Sequence, residues 1–161
     1  MSNQTKIIAE EGKQELFMIR PFDLPVQLLF DAYTDPALLV QWMSNSHTQM
    51  IVEKLENRAH GSWRFVHTDK AGNKYCFNGV IHLFDAPQRI IRTFEMENTS
   101  GGVNVQLEFL TFEALSESTS QLTVQTLYKS SGDRDTMIKY GMEKGANMAH
   151  NRLQEVLNSL K

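Results

Sequence analysis

The longest amphipathic stretch of the chain runs from about Asp133 to Leu160. Ile138, Met142, Ala146, Ala149, Leu153, Val156, Leu157 and Leu160 recur there at three- and four-residue steps. An α-helix turns about 100° per residue, so this spacing gathers them on one stripe. Lys139, Glu143, Asn147, Asn151, Gln154 and Asn158 fall on or near the opposite side. Ser131 and Asp133 supply side-chain oxygens for the unpaired N–H groups at the start. The pattern predicts one helix roughly 40 Å long. Gly141 and Gly145 interrupt it one turn apart, where each costs about 1 kcal/mol relative to alanine. Such glycines point to close packing against a neighbour or to room for a bound molecule beneath the helix.

Most of the preceding chain has period two. Residues 15–22 alternate as a strand that ends between Pro21 and Pro25. Val26, Leu29, Phe30 and Tyr33 then fit a short helix. Thr34 and Asp35 cap a second one that carries Pro36 at its start and Leu38, Leu39, Trp42 and Met43 on its apolar face. From His47 onward, strands are predicted at 50–55, 62–68, 74–84, 89–96, 103–112 and 121–128. They are separated by His60-Gly61, residues 69–73, Asp85-Ala86-Pro87, residues 98–102 and residues 116–120. These connections are too short for crossover helices, so successive strands pair antiparallel. A sheet of about seven strands with one apolar face needs a cover, and the long helix needs a floor. The fold class is therefore α+β, with a curved antiparallel sheet wrapped round the C-terminal helix and Gly79 as a bend point. The two short helices close one end.

A chain of 161 residues fits one domain over 1–161, with residues up to about 12 as a loose or short-strand leader. The net charge of −3 and the absence of a Lys/Arg block argue against nucleic-acid and anionic-membrane partners. The single cysteine, Cys76, fits a reducing cytoplasm. No apolar run reaches the length of a membrane span, and the polar N-terminus does not resemble a signal peptide.

The segment Phe22-Asp23-Leu24-Pro25, followed by Leu29 to Pro36 and by Gln41-Trp42, resembles the bacterial SRPBCC proteins. It is closest in pattern to the group named after the activator of the ninety-kilodalton heat-shock chaperone's ATPase. Residues 58–65 are similar to that group's Arg-x-Gly-Gly-x-Trp-Arg-Phe turn. Residues 79–93 are similar to its Gly-to-Thr strand pair, and Gly141 to Gly145 to its helix start. The resemblance implies the START-like helix-grip fold. His60 replaces the first of the two turn glycines, and Leu83 stands where relatives often carry an inward-pointing carboxylate, which implies a more apolar cavity.

No catalytic or metal-binding signature stands out. The five histidines lack ligand spacing, and neither a Gly-x-Ser-x-Gly elbow nor a phosphate loop occurs. No cofactor and no catalytic residue is expected, and the enzyme question leans towards no. What remains is an aromatic interior. With Tyr75, Phe77, Gly79 and Ile81 as the inward set of their strand, the candidate ligand-binding residues are Trp63, Phe65, His67, Tyr75, Phe77, Ile81, Phe109, Met142 and Gly145. Tyr75, His67 and Tyr128 are the polar donors at its rim. The alternative is that these side chains simply fill the core. The expected partner is a small hydrophobic or amphipathic molecule bound without covalent chemistry, in a monomer or homodimer. The resemblance implies two other readings: a chaperone-binding module and an enzyme of the polyketide cyclase or dehydratase type.

Overall fold

A computed structural model describes residues 3–161. Its strands are β1 (Lys6–Ile8), β2 (Glu15–Phe22), β3 (Thr48–Leu55), β4 (Ser62–Asp69), β5 (Lys74–Asp85), β6 (Arg89–Met96), β7 (Val105–Ala114) and β8 (Ser120–Leu127). Its helices are α1 (Val26–Thr34), α2 (Pro36–Met43), α3 (Ser131–Lys139) and α4 (Met142–Leu157). The strands form one antiparallel sheet in the order β1-β2-β8-β7-β6-β5-β4-β3. Register shifts between Val52 and Lys54 in β3 and between Ile81 and Leu83 in β5 help to curve it. β1 is the eighth strand, three residues long and too short to show a period.

The C-terminal run is two helices rather than the single rod that the periodicity predicts. Gly141 lies between them at φ 83°, a left-handed conformation that glycine adopts without the steric penalty of a Cβ. Its N–H donates to the Ile138 carbonyl and its own carbonyl accepts from Gly145, so one residue ends α3 and starts α4. α4 keeps 16 residues, roughly 24 Å. It still lies on the inner face of the sheet, where Leu153 and Leu157 are fully buried in the main apolar cluster. Leu160, in a short terminal turn, is exposed instead.

α1 and α2 plug one end of the fold. Asp35 caps α2 by accepting from the Ala37 N–H at 2.9 Å, with Pro36 at the first position. Phe30 packs edge-on to Phe84 and Phe112, and Tyr33 packs against Trp42 and Phe112. The Trp42 indole N–H donates to the Ala32 carbonyl at 2.8 Å, which satisfies the one polar atom of that buried ring.

His60 has φ 68°. It takes the left-handed conformation that a glycine would supply at that turn, as the resemblance implies for its position.

The flank of α4 that the pattern assigns to the polar side meets β1 and β2. Arg20 is buried, and its guanidinium donates to Pro21 O, Thr5 Oγ1, Asn147 Oδ1 and Asn151 Oδ1 at 2.9–3.3 Å. It stacks 5.1 Å over the Phe22 ring. Thr5 Oγ1, already accepting from Arg20, lies 2.6 Å from His150 Nδ1, and His150 Nε2 lies 3.3 Å from the Tyr33 hydroxyl. A neutral imidazole fits both contacts, for example with the Thr5 hydroxyl donating to Nδ1 and the ring proton on Nε2 facing the Tyr33 oxygen. Desolvation first, and the nearby Arg20 charge second, push the His150 pKa down to about 3.

This buried imidazole makes the protein acid-sensitive. Between its ordinary 6.5 and about 3, the unfolded chain binds a proton at this residue and the folded one does not. Stability therefore falls as the pH drops through that window. At pH 4.5, about 2 units below the ordinary value, the loss from this residue is about 2–3 kcal/mol. Urea unfolding at pH 7 and pH 4.5 should show that difference in the native protein and a smaller one in His150→Gln.

Candidate functional site

The inner face of the sheet has two unequal halves. Towards α1, Phe84, Ile90, Leu110, Phe112 and Leu122 belong to or pack against the main cluster, and most are almost fully buried. Towards the opposite end, His67, Phe77, Phe94 and Gln106 are only half-buried, and Tyr75 and Met96 are exposed. On the helix above, Met142, Ala146 and Ala149 are also half-buried. Together they mark the less completely covered part of the inner face, between the first half of α4 and strands β4–β7, hereafter the recess.

Its floor is aromatic. Alternation puts Trp63, Phe65 and His67 of β4 on the inner face beside Phe77, Gly79 and Ile81 of β5. Trp63 lies 4.8 Å from Phe65 and 5.8 Å from Phe94, while Phe77 lies 5.4 Å from both Phe94 and His67. Desolvation lowers the His67 pKa, which favours the neutral ring at this site. Gly79 is required by the Thr93 carbonyl of β6, with the Trp63 Nε1 also within contact of where a Cβ would stand.

At the deep end stands an ion pair. Arg92 and Glu108 are directly opposed on β6 and β7. Arg92 Nε donates to Glu108 Oε1 at 2.9 Å, and the two side chains are only 12% and 13% exposed. The guanidinium lies 4.8 Å over the Trp63 ring. It is thus held on one side by a carboxylate and on one face by an indole.

Trp63, Phe65, Phe77, Ile81 and His67 come together as the sequence suggests. Tyr75 shares their face but sits at the strand end, 41% exposed, with its hydroxyl donating to Asp69 Oδ2. Phe109 does not join them. It alternates with Leu110 and Phe112, which are buried in the core, so it lies on the outer face opposite Gln125 and Ile91. Met142 opens α4 and is half-buried. Gly145 is on the flank of the buried stripe, exposed, and a Cβ there would meet nothing within 4 Å. Ala146 takes the more inward position. Tyr128 is buried beside Gln106. Its buried hydroxyl faces a space of about 20 Å³, shared with Asn104 and Asp133 and sized for one water. Desolvation, chiefly, pushes its pKa up to about 12.

Leu83, read as the site of a missing inward carboxylate, pairs with Ile91 and lies on the outer face, displaced by the register shift in β5. The recess is not wholly apolar, because Glu108 supplies a carboxylate from the next strand but one.

The fold is shared widely. Protein Ms6760 from Mycobacterium smegmatis is 20% identical, with a TM-score of 0.84 over 98% of this chain and 99% of that one. A protein from Rhodobacter sphaeroides is 23% identical, with a TM-score of 0.85 over 96% and 99%. The AHSA1 protein from Silicibacter pomeroyi is 18% identical, with a TM-score of 0.70 over 91% and 99%. A search of curated proteins gave no match. No helix among the described residues is long and apolar enough to cross a membrane. Residues 23–158 match the family described as Activator of Hsp90 ATPase homolog 1-like protein, and the chain belongs to that family.

Proposed function

We propose that the protein binds a small apolar or amphipathic molecule, without covalent chemistry, in the recess between α4 and strands β4–β7, and does so in the cytoplasm. The observation that carries this reading is the unequal inner face. A solid core would bury Phe77, Phe94 and His67 as completely as Phe112 and Leu122, and instead they stay half-covered around a charged pair. Burying the ligand's apolar surface on those rings supplies about 25 cal/mol per Å², and the polar pair fixes its orientation.

Native mass spectrometry of the purified protein tests it. The expected result is a species heavier by one small molecule, or a stoichiometric complex with the neutral probe N-phenylnaphthylamine. The variant Ala146→Phe should lose both while keeping its melting temperature, since it places a ring over the recess. A protein that carries no adduct and takes up no probe contradicts the proposal.

The family description favours a second reading, in which the protein activates a chaperone ATPase through its outer surface. Pull-down of the chaperone and stimulation of its ATPase would support that reading; failure of both would remove it. A cyclase- or dehydratase-type reaction is the third reading, with Glu108 as its base. Against it, both ring nitrogens of His150 are already engaged, by Thr5 and by the Tyr33 hydroxyl.

A further inference from the structure

If the recess binds a ligand, the Arg92–Glu108 pair decides which head group that ligand carries. Arg92 uses only Nε towards Glu108. Its Nη1 and Nη2, and Glu108 Oε2, have no hydrogen-bond partner among the described residues. None of the three is sealed from solvent either: the buried polar atoms without a partner are Trp63 Nε1, Asn104 Oδ1, Tyr128 OH and Asp133 Oδ2. The pair therefore shows the recess a fork of N–H donors beside one free carboxylate oxygen, with a formal charge of zero. Its geometry is fixed by the cross-strand register and by the Trp63 ring beneath the guanidinium.

We infer that the recess selects a neutral head group carrying a carbonyl oxygen next to an N–H or O–H, such as a primary carboxamide, and discriminates against a carboxylate on the same tail. The carbonyl accepts from the Arg92 fork, and the N–H or O–H donates to Glu108 Oε2. A carboxylate satisfies the fork but sets a second negative charge against Glu108, and it has no proton to give. Rejection therefore comes from an unpaired, repelled group in a part-buried site rather than from shape. Glu108 is the specificity residue, and Arg92 the anchor.

Isothermal titration calorimetry with dodecanamide and dodecanoate, both below their aggregation thresholds, tests this. The native protein should bind the amide about 10–100-fold more tightly. In Glu108→Gln, dodecanoate should gain on the amide by at least about tenfold, because the like charge is gone and Arg92 is uncompensated. The double variant Arg92→Met with Glu108→Leu replaces the pair by apolar side chains and guards against a folding defect in the single one. It should still bind N-phenylnaphthylamine, and both tails should lose the affinity that the head-group contacts supply. Equal affinity for the two tails in the native protein, or an unchanged ratio in Glu108→Gln, overturns the head-group inference alone, provided N-phenylnaphthylamine still binds. If neither tail nor that probe binds the native protein, the ligand-binding reading falls with it.

Discussion

Gly79→Ala should destabilise the protein by about 3 kcal/mol, the upper end of what overpacking a tight core costs. A Cβ at this position would fall well inside contact distance of the Thr93 carbonyl oxygen, and 2.5 Å from Trp63 Nε1. Neither neighbour yields easily. The Thr93 carbonyl is backbone of the adjacent strand β6. The Trp63 ring is 1% exposed, held between Phe65, Phe94 and the Arg92 guanidinium. Relief requires β5 and β6 to part, or the indole to leave the recess floor. For a domain of this size the melting temperature should drop by about 6–12 °C. Calorimetry on the same exchange at Gly145 provides the contrast. A Cβ there meets nothing, and helix propensity alone favours alanine by about 1 kcal/mol. A Gly79→Ala protein that melts within about 2 °C of the native one would show that neither the Thr93 carbonyl nor the indole approaches this glycine as closely as described.

Arg20→Met should cost about 3 kcal/mol, and its signature is local. The methionine keeps much of the volume over Phe22, but it returns no hydrogen bond to Pro21 O, Thr5 Oγ1, Asn147 Oδ1 or Asn151 Oδ1. Bonds from a charged donor are worth about 1.5–3 kcal/mol each when made, but two of these acceptors keep a second partner and a third can turn to water. Arg20 has no carboxylate partner among the described residues, and burial lowers its pKa, so removing the charge also removes a desolvation penalty. The net is therefore well below the sum of four bonds. Hydrogen exchange should quicken first at Thr5 and Ile7, whose amides donate to Asn147 and Glu143 of α4. The acid limb of the stability profile should soften as well, since Arg20 contributes to holding His150 neutral. Uniform loss of protection across all strands would contradict this local role.

The strands were legible because their alternation is strong, and the antiparallel order followed from short connections. Three features were not. The break at Gly141 is a matter of one dihedral: the apolar spacing continues across it, and a glycine within a helix and a glycine at φ 83° are written with the same letter. The face of β7 was misjudged because both faces carry apolar residues. Val103, Val105, Leu107 and Phe109 make the more regular series, yet the core takes Leu110 and Phe112 from the other one, with Glu108 between them and the recess. The polar anchors carry no local signal either. Nothing local marks Arg92 or Glu108 as inward; only the cross-strand register opposes them, and only Trp63 beneath them explains why the pair is held. The same holds for Asn147 and Asn151. They lie off the apolar stripe of α4, and their acceptor Oδ1 atoms turn out to face an arginine 127 and 131 residues away in sequence.

The chain holds two tryptophans, and they report on opposite sides of the argument. Trp63 forms the recess floor, while the Trp42 indole N–H is bonded to Ala32 inside the helical plug. Following both indole N–H resonances by NMR during a titration with N-phenylnaphthylamine is the most direct test of where a ligand sits. The Trp63 signal should move and saturate at one equivalent, with Trp42 unchanged. A bound probe that leaves Trp63 still, or that shifts Trp42 in its place, would mean that the space under α4 is not where this protein holds a small molecule.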